Sequence, residues 1–253
     1  AFIGFIKLIS SILAKGSATL PRGHFGKLNS WGFDPIKNII AMKESLDYDS
    51  ISRSVINFIN KARKDPNWVA DELIRLKKYY KDKQYRNSNY TFNVLTEEGF
   101  KAVEEAIHFL RNDARPVPEL TTSDDLCETA KQLVEYIGPK GLLNHDTDDL
   151  SIENRTKNKL SNAGQVSENV SFGWSDPKEI VLQLIIDDGV NSRGHRNNIY
   201  DEKFKTVGVF TGAHKVYMHC CVIDFHGDVS NDEINFEKYM IDSEDWPENA
   251  VSL

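Results

Sequence analysis

Residues 187–199 read Asp-Asp-Gly-Val-Asn-Ser-Arg-Gly-His-Arg-Asn-Asn-Ile, and Phe204, Val207 and Gly208 follow in the apolar segment beyond them. The stretch places two carboxylates, a histidine and an arginine around a turn marked by glycines. It lies between a segment with the pattern of a buried helix and one with the pattern of a strand. Polar side chains this dense beside core elements usually face a cleft. The stretch therefore predicts a functional cleft.

Two earlier segments have the character of partners for this stretch. Residues 141–146 read Gly-Leu-Leu-Asn-His-Asp, and residues 167–173 read Ser-Glu-Asn-Val-Ser-Phe-Gly. Together the three segments resemble the CAP superfamily (cysteine-rich secretory proteins, antigen 5 and pathogenesis-related proteins). The family's Gly-Glu-Asn-Ile motif corresponds to Ser167–Val170, its microbial Ser-x-Gly-His-Arg-x-Asn-Ile motif to Ser192–Ile199, and its preceding histidine to His145.

The resemblance covers roughly residues 50–229 and is firmest over 118–228. It implies the CAP fold, an α-β-α sandwich. The order of patterns agrees independently, because helical periodicity comes early and strand patterns come late, which indicates an α+β layout with a central antiparallel sheet. We therefore expect a CAP domain over residues 47–229, an N-terminal arm over 1–46 and a C-terminal tail over 230–253.

The resemblance implies a cleft tetrad of two histidines and two acids. Carried onto this sequence, the histidines are His145 and His195, and the first acid is Glu168. The second acid comes from the helix before the second histidine motif, where Asp188 is the first choice and Asp187 the alternative. An aspartate in place of the family's usual glutamate shortens the reach by one methylene, which puts the full tetrad geometry in question.

Two imidazoles with one or two carboxylates suit zinc or another divalent cation, with water completing an open site. The expected ligands are His145, His195 and Glu168. The alternative is a hydrogen-bonded cluster that holds the cleft walls together without a metal. The sequence leaves both interpretations open.

Supporting roles are expected for five polar neighbours. Asparagine side chains beside the histidine and the glutamate should fix loops, a serine in a turn should bond to the backbone, and Arg196 should pair with Asp187, Asp188 or Asp201. No Gly-x-Ser-x-Gly elbow is present, so the sequence disfavours catalysis. The five residues are Asn144, Asn169, Asp187, Ser192 and Arg196.

Helix starts and ends are marked by capping residues. Ser123 is predicted to cap a helix that Gly138 and Pro139 stop, and Asp176-Pro177 is predicted to open the apolar helix before the main stretch. Thr96 is predicted to cap a helix over residues 97–111. Asp187 and Asp188 would end the apolar helix, where carboxylates oppose the helix dipole, so we expect them to have partners such as His195, Arg193 or a cation.

The strands are predicted late in the chain. Residues 170–172 form a short strand, and residues 206–211 and 215–225 pair as a hairpin around Gly212-Ala213-His214. His214 is expected to be solvated in that turn.

Composition bounds the class of protein. The chain has 253 residues, 40% of them hydrophobic, and a formal net charge of -7. Mean hydropathy is -0.46, which argues against a membrane protein, and the negative charge argues against nucleic-acid binding. Cys127, Cys220 and Cys221 are too few for a disulfide framework, so we expect buried, reduced thiols.

The two ends differ in charge. The arm carries six Lys/Arg against two acids, a charge of +4, and the tail carries seven acids against one lysine, a charge of -6. Such ends contact either each other or partner proteins, or they are simply solvated. Residues 1–14 are apolar, which fits a targeting remnant, a membrane-contacting anchor or a docking helix.

Three functions follow from these observations. The first is a non-catalytic CAP binding module whose cleft holds a divalent metal, a small lipid-like ligand or a peptide. The second is a structural subunit docked through residues 1–46 and 230–253, and the third is a metal-dependent hydrolase. The resemblance implies an extracellular or secretory location, while the low cysteine count leaves an intracellular or organellar one open.

Overall fold

The computed structural model describes residues 46–87, 94–143, 150–160 and 164–227. Most of the helices lie before residue 160, and the three long strands lie after it. In chain order the elements are α1 (Tyr48–Lys64), α2 (Pro66–Leu76), a 3₁₀ helix (Lys77–Tyr79), β1 (Tyr80–Lys81), β2 (Gln84–Tyr85), β3 (Val94–Leu95), α3 (Phe100–Asn112), β4 (Thr121–Thr122), α4 (Asp124–Lys140), α5 (Ile152–Thr156), β5 (Gln165–Phe172), α6 (Pro177–Ile186), α7 (Gly194–Tyr200), β6 (Phe204–His214) and β7 (Met218–Gly227).

The central sheet has the strand order β4-β6-β7-β5. Its three long strands are antiparallel, and only the two-residue β4 runs parallel to its neighbour. In the register of β5 with β7, Glu168 lies opposite Asp224 and Asn169 opposite Ile223. A separate small sheet, β1-β2-β3, was not expected from the sequence.

Helices cover both faces of the central sheet. On one face α4 packs its apolar side on the sheet through Leu133, Val134 and Ile137, which meet Val170 and Val222. On the other face the larger cluster joins α1, α2, α3 and α6 to the opposite side of β6 and β7. The predicted α+β class and α-β-α sandwich are therefore confirmed.

The capping residues act largely as the sequence predicts. The Ser123 side chain accepts a hydrogen bond from the Leu126 amide. The predicted stop at Gly138 and Pro139 was wrong, because α4 continues through Pro139 to Lys140 and is capped by Gly141, which adopts a left-handed φ of 72°. The Asp176 carboxylate accepts from the amides at the start of α6. Helices α4 and α6 thus each begin where a side chain accepts hydrogen bonds from first-turn amides.

Two further local predictions were wrong. Helix α3 begins at Phe100 after Gly99, because the Thr96 hydroxyl donates to the Lys83 carbonyl and belongs to the small sheet instead. The hairpin turn lies beyond His214, whose side chain is fully buried. Its Nε2 contacts the Leu142 carbonyl at 2.9 Å, so this histidine ties the hairpin to the end of α4.

The cysteines are free, and Cys220 and Cys221 are buried. Burial raises the pKa of each of these two thiols to about 12, so both are protonated and act as small apolar side chains. Within the described ranges, no helix is long and apolar enough to cross a membrane. The expectations for the arm and the tail fall almost wholly on residues outside these ranges.

Close contact between β6 and α4 requires a glycine. A Cβ added to Gly208 would overlap the main chain of Leu126 and Cys127, whereas one at Gly212 would meet a Val134 methyl at 2.6 Å. We predict that Gly208→Ala lowers the free energy of unfolding by about 1–3 kcal/mol, as overpacking does, and that Gly212→Ala costs less because a side chain moves more easily than backbone. Urea denaturation of both variants checks this, and equal losses would contradict it.

Candidate functional site

The turn between α6 and α7 is organised by one buried carboxylate, that of Asp187. Its Oδ1 lies 2.6 Å from Nδ1 of His195, and its Oδ2 accepts the main-chain amides of His195 at 2.9 Å and Arg196 at 3.3 Å. Asp187 is only 2% exposed and adopts a left-handed φ of 55°. One side chain therefore orients the histidine and caps the start of α7.

The electrostatics favour a charged Asp187. Burial alone would raise the pKa of this carboxyl, but the charge of the neighbouring His195 imidazole and the hydrogen bonds from His195 and Arg196 leave its pKa below the ordinary value. The acid at the end of α6 thus has the partner that the dipole argument requires. When the ring is neutral, a carboxylate on Nδ1 selects the tautomer in which Nε2 carries the lone pair.

Asp188, the first choice for the second acid of the tetrad, lies elsewhere. Its two carboxylate oxygens accept the main-chain amides of Glu97 at 2.7 Å and Glu98 at 2.9 Å. It therefore binds the segment before α3, while the alternative, Asp187, contacts the histidine. The left-handed backbone at Asp187 turns the two neighbouring side chains in different directions, which the linear sequence does not reveal.

A reciprocal set of bonds holds this turn from outside. The Glu98 carboxylate accepts the Gly189 amide at 2.8 Å and two guanidinium bonds from Arg193 at 2.7 and 2.8 Å. Arg193, itself left-handed at φ 51°, also donates to the Asp187 carbonyl at 2.6 Å. We call Glu98, Asp188, Gly189 and Arg193 the clamp. The sequence analysis did not identify Glu98 as part of the site.

Arg196 has a different partner from those expected. Its guanidinium forms two bonds of 2.7 Å with Glu105 of α3 and donates to the Ile185 carbonyl at 2.6 Å. The prediction of an aspartate partner for its side chain was wrong, because α3 lies closer to this face of α7 than the neighbouring aspartates do. The far end of α7 is held by buried Arg63, which donates to the Ile199 carbonyl.

The asparagine of the second motif links β5 to α7. The Asn169 side chain donates to the His195 carbonyl at 3.0 Å and accepts from Asn198 at 2.8 Å, so it holds helix α7 to the strand rather than fixing a loop. Ser192 is exposed, and its carbonyl accepts a bond from Asn197. Asn144 and His145 lie outside the described residues.

Glu168 forms a buried ion pair with Arg155, a residue that the sequence analysis overlooked. Arg155 also contacts Asp224 at 2.9 Å, and Asp224 accepts a bond of 2.6 Å from Thr129 of α4. The Asp224 side chain is fully buried and Arg155 is 1% exposed. The family acid thus belongs to a charge cluster on the α4 side of the sheet.

The two acids of this cluster stand opposite each other in neighbouring strands. Burial and the nearby charge of Glu168 raise the pKa of Asp224 well above its ordinary value, although Arg155 and Thr129 act in the other direction. Asp224 therefore retains its proton to a higher pH than an exposed aspartate does. A lone acid in the apolar run Cys220–Phe225 is the sequence signal that could have identified it.

The expected metal ligands are His145, His195 and Glu168. In the part of the chain that the structure describes, no group of three or more His, Cys, Asp or Glu residues is arranged to hold a metal ion. Of the expected ligands, Glu168 pairs with Arg155, and His145 lies outside the described residues. The described residues alone therefore do not complete a zinc site, which takes three or four protein ligands.

Comparison with known proteins places this geometry in a family. The model of the cysteine-rich secretory protein family, CAP, matches residues 56–225. The chain belongs to the CAP family. The family predicted from the three motifs is therefore confirmed. No curated protein matches the sequence.

Solved structures similar to this CAP domain come from bacteria. An outer surface protein from Borrelia burgdorferi shares 15% identity with a TM-score of 0.39, over 51% of this chain and 90% of its own. A cysteine-rich secretory protein from Staphylococcus aureus shares 16% identity with a TM-score of 0.37, over 57% of this chain and 46% of its own. An extracellular SCP-domain protein from Bacillus anthracis shares 19% identity with a TM-score of 0.35, over 50% of this chain and 38% of its own. This chain thus covers less than half of the length of each of the last two proteins.

Removal of Arg155 should destabilise the domain. Arg155→Met leaves Glu168 facing Asp224 without a cation, so we predict a loss of about 3–5 kcal/mol in the free energy of unfolding, as for a broken buried ion pair. Adding Asp224→Asn should recover part of that loss, because it removes one of the two acids. Urea denaturation of Arg155→Met, Asp224→Asn and the double variant measures the coupling between the two positions. Additive losses in the free energy of unfolding would contradict the cluster.

The clamp should make stability sensitive to acid. The hydrogen bonds from Arg193 lower the pKa of Glu98, burial raises it, and the bond from the Gly189 amide lowers it further. The resulting pKa of Glu98 is about 2. Because this is below the ordinary glutamate value of about 4.3, its contribution is present above that value and is lost as the pH falls towards 2.

We therefore predict that Glu98→Gln lowers stability at neutral pH and reduces its decline in acid. The measurement is the free energy of unfolding in urea at a series of pH values from about 6 down to 2.5, the window set by that displaced pKa. Glu104→Gln, an exposed site on α3, is the matched control and should leave the profile unchanged. Identical profiles for the two variants would exclude the clamp as a source of stability.

Proposed function

We propose that this CAP domain is a non-catalytic binding module in which Nε2 of His195 is the acceptor that recognises a ligand. The observation that carries the proposal is the Asp187–His195 bond of 2.6 Å. Because Asp187 engages Nδ1, the lone pair of Nε2 is directed away from the buried carboxylate. The ring is about 9% exposed at the side chain, so a ligand has a narrow approach to it.

Engagement of the acids supports a binding role over a catalytic one. Glu168 pairs with Arg155, Asp188 accepts two main-chain amides, and Asp187 is bound to His195 and the start of α7. A general base must approach the proton that it abstracts, and a carboxylate bound in this way is poorly placed to do so. The acids therefore act in positioning.

The ligand class that fits the Nε2 acceptor is a small molecule or peptide that donates a hydrogen bond, and binding sites for such ligands are usually lined by apolar side chains. A small lipid-like molecule bearing a hydroxyl group meets this description. A divalent cation is the second candidate. The Asp187–His195 pair favours it, because metal-bound histidines usually donate their other N–H to a carboxylate, but it needs ligands beyond the described residues, such as His145.

Zinc titration separates the two candidates. We predict that calorimetry of the intact chain shows no tight, saturable zinc site, and that His195→Ala leaves this result unchanged. His108→Ala, an exposed histidine on α3, is the control for incidental surface binding. Tight binding that is lost in His195→Ala and kept in His108→Ala would contradict the ligand preference and establish a metal site.

Ligand recovery tests the binding module itself. The intact chain, purified from its own cells or incubated with a lipid and peptide extract, should retain a small hydroxyl-bearing ligand that mass spectrometry detects after solvent extraction. His195→Ala should retain less of it, and His108→Ala the same amount. Equal recovery from all three proteins would contradict recognition through His195.

A further inference from the structure

A strongly basic surface lies far along the chain from the His195 turn. Residues 75–86 contain six Lys/Arg against Asp82, a formal charge of +5 in a chain whose net charge is -7. All six basic residues are exposed. We call them the basic patch: Arg75, Lys77, Lys78, Lys81, Lys83 and Arg86.

The backbone that carries the basic patch is packed against aromatic side chains of the core. It spans the end of α2, the 3₁₀ helix and the β1–β2 hairpin, in which Lys81 pairs with Gln84. Under the hairpin, the ring of Tyr80 lies 5.0 Å from that of Tyr85 and 5.4 Å from that of Phe100. The cations are thus presented on a hairpin anchored to the core. One of them, Arg75, forms an exposed ion pair with Glu72.

Apolar side chains accompany the charges. Ile74 is 49% exposed and Leu95 is 42% exposed, and within the described ranges they are two of three large hydrophobic residues with this exposure. Ile74 precedes the first cation of the patch. Leu95 lies opposite Gln84, which in turn pairs with Lys81. The surface therefore fits a partner that is both acidic and apolar.

The chain itself carries a segment of that chemistry. Residues 230–253 hold seven acids against Lys238, with aromatic and aliphatic residues interspersed among them. We propose that this C-terminal tail docks on the basic patch of the same molecule. The interspersed apolar residues are Ile234, Phe236, Tyr239, Met240, Ile241 and Trp246.

Docking within one molecule is favoured over capture of an external polyanion. A net charge of -7 repels polyanions that approach from solution, whereas a tethered segment has an effective concentration in the millimolar range. The 26 residues after Gly227 span up to roughly 85 Å when extended. That exceeds the width of a domain of this size, whose radius of gyration is about 16 Å, so the tail reaches the patch from any point on the surface.

Zero-length carbodiimide cross-linking of the full chain tests the proposal directly. In the monomer fraction, mass spectrometry should find tail carboxylates joined to Lys77, Lys78, Lys81 and Lys83 several-fold more often than to the exposed control lysines Lys64 and Lys215. Salt at 1 M shortens the Debye length to about 3 Å and should weaken this preference.

Charge reversal supplies the matched variants. Lys77→Glu with Lys81→Glu should remove most tail cross-links at the remaining Lys78 and Lys83. Lys64→Glu with Lys215→Glu changes the net charge equally and should leave them in place. Circular dichroism verifies that both variants fold, which is expected because all four positions are exposed.

Four results would overturn the proposal. Cross-links to lysines of residues 1–46 would show that the tail binds the arm, and cross-links only in dimers would show docking between molecules. An even distribution over all lysines would show a solvated tail. Equal cross-linking at Lys78 and Lys83 in the two charge-reversal variants would show that the basic patch does not hold it.

Discussion

The carboxylate of Asp187 is the constraint on which the site depends. It binds Nδ1 of His195 and the amides that open α7, so the direction of the histidine and the start of the helix are set together. The residue occupies a left-handed conformation that costs an L-residue about 1–2 kcal/mol. The clamp around Glu98 and Arg193 offsets that cost, because Glu98, which precedes α3, binds both the Gly189 amide and the Arg193 guanidinium.

Two neighbouring motif residues of this CAP domain, Glu168 and Asn169, lie on opposite sides of the sheet. Glu168 joins Arg155 and Asp224 beneath α4, while Asn169, one residue along, reaches α7. Alternation along a strand makes this division unavoidable. The cluster beneath α4 contributes to stability, and the α7 side presents the imidazole. A single edge strand therefore contacts both the buried charge cluster and the helix that carries His195.

The sequence predicted the family, the α+β class and most capping residues, because these depend on motifs, order and short-range spacing. The sequence did not show which of Asp187 and Asp188 contacts His195, since no residue pattern indicated the left-handed backbone at Asp187 that separates the two side chains. Arg155, Asp224 and Glu98 were missed because their partners lie far along the chain. The prediction that Thr96 caps a helix failed because its hydroxyl donates to the Lys83 carbonyl instead. Tertiary contacts of this kind override capping propensity.

The most direct test of this account is the protonation pattern of the His195 ring. Nitrogen-15 NMR of the intact protein, recorded over a series of increasing pH until the ring spectrum stops changing, distinguishes the two tautomers of the neutral ring. The account predicts a proton on Nδ1, shifted downfield by its bond to Asp187, and an unprotonated Nε2. A proton on Nε2, or two tautomers in rapid exchange, would contradict the claim that Asp187 fixes the tautomer of the ring.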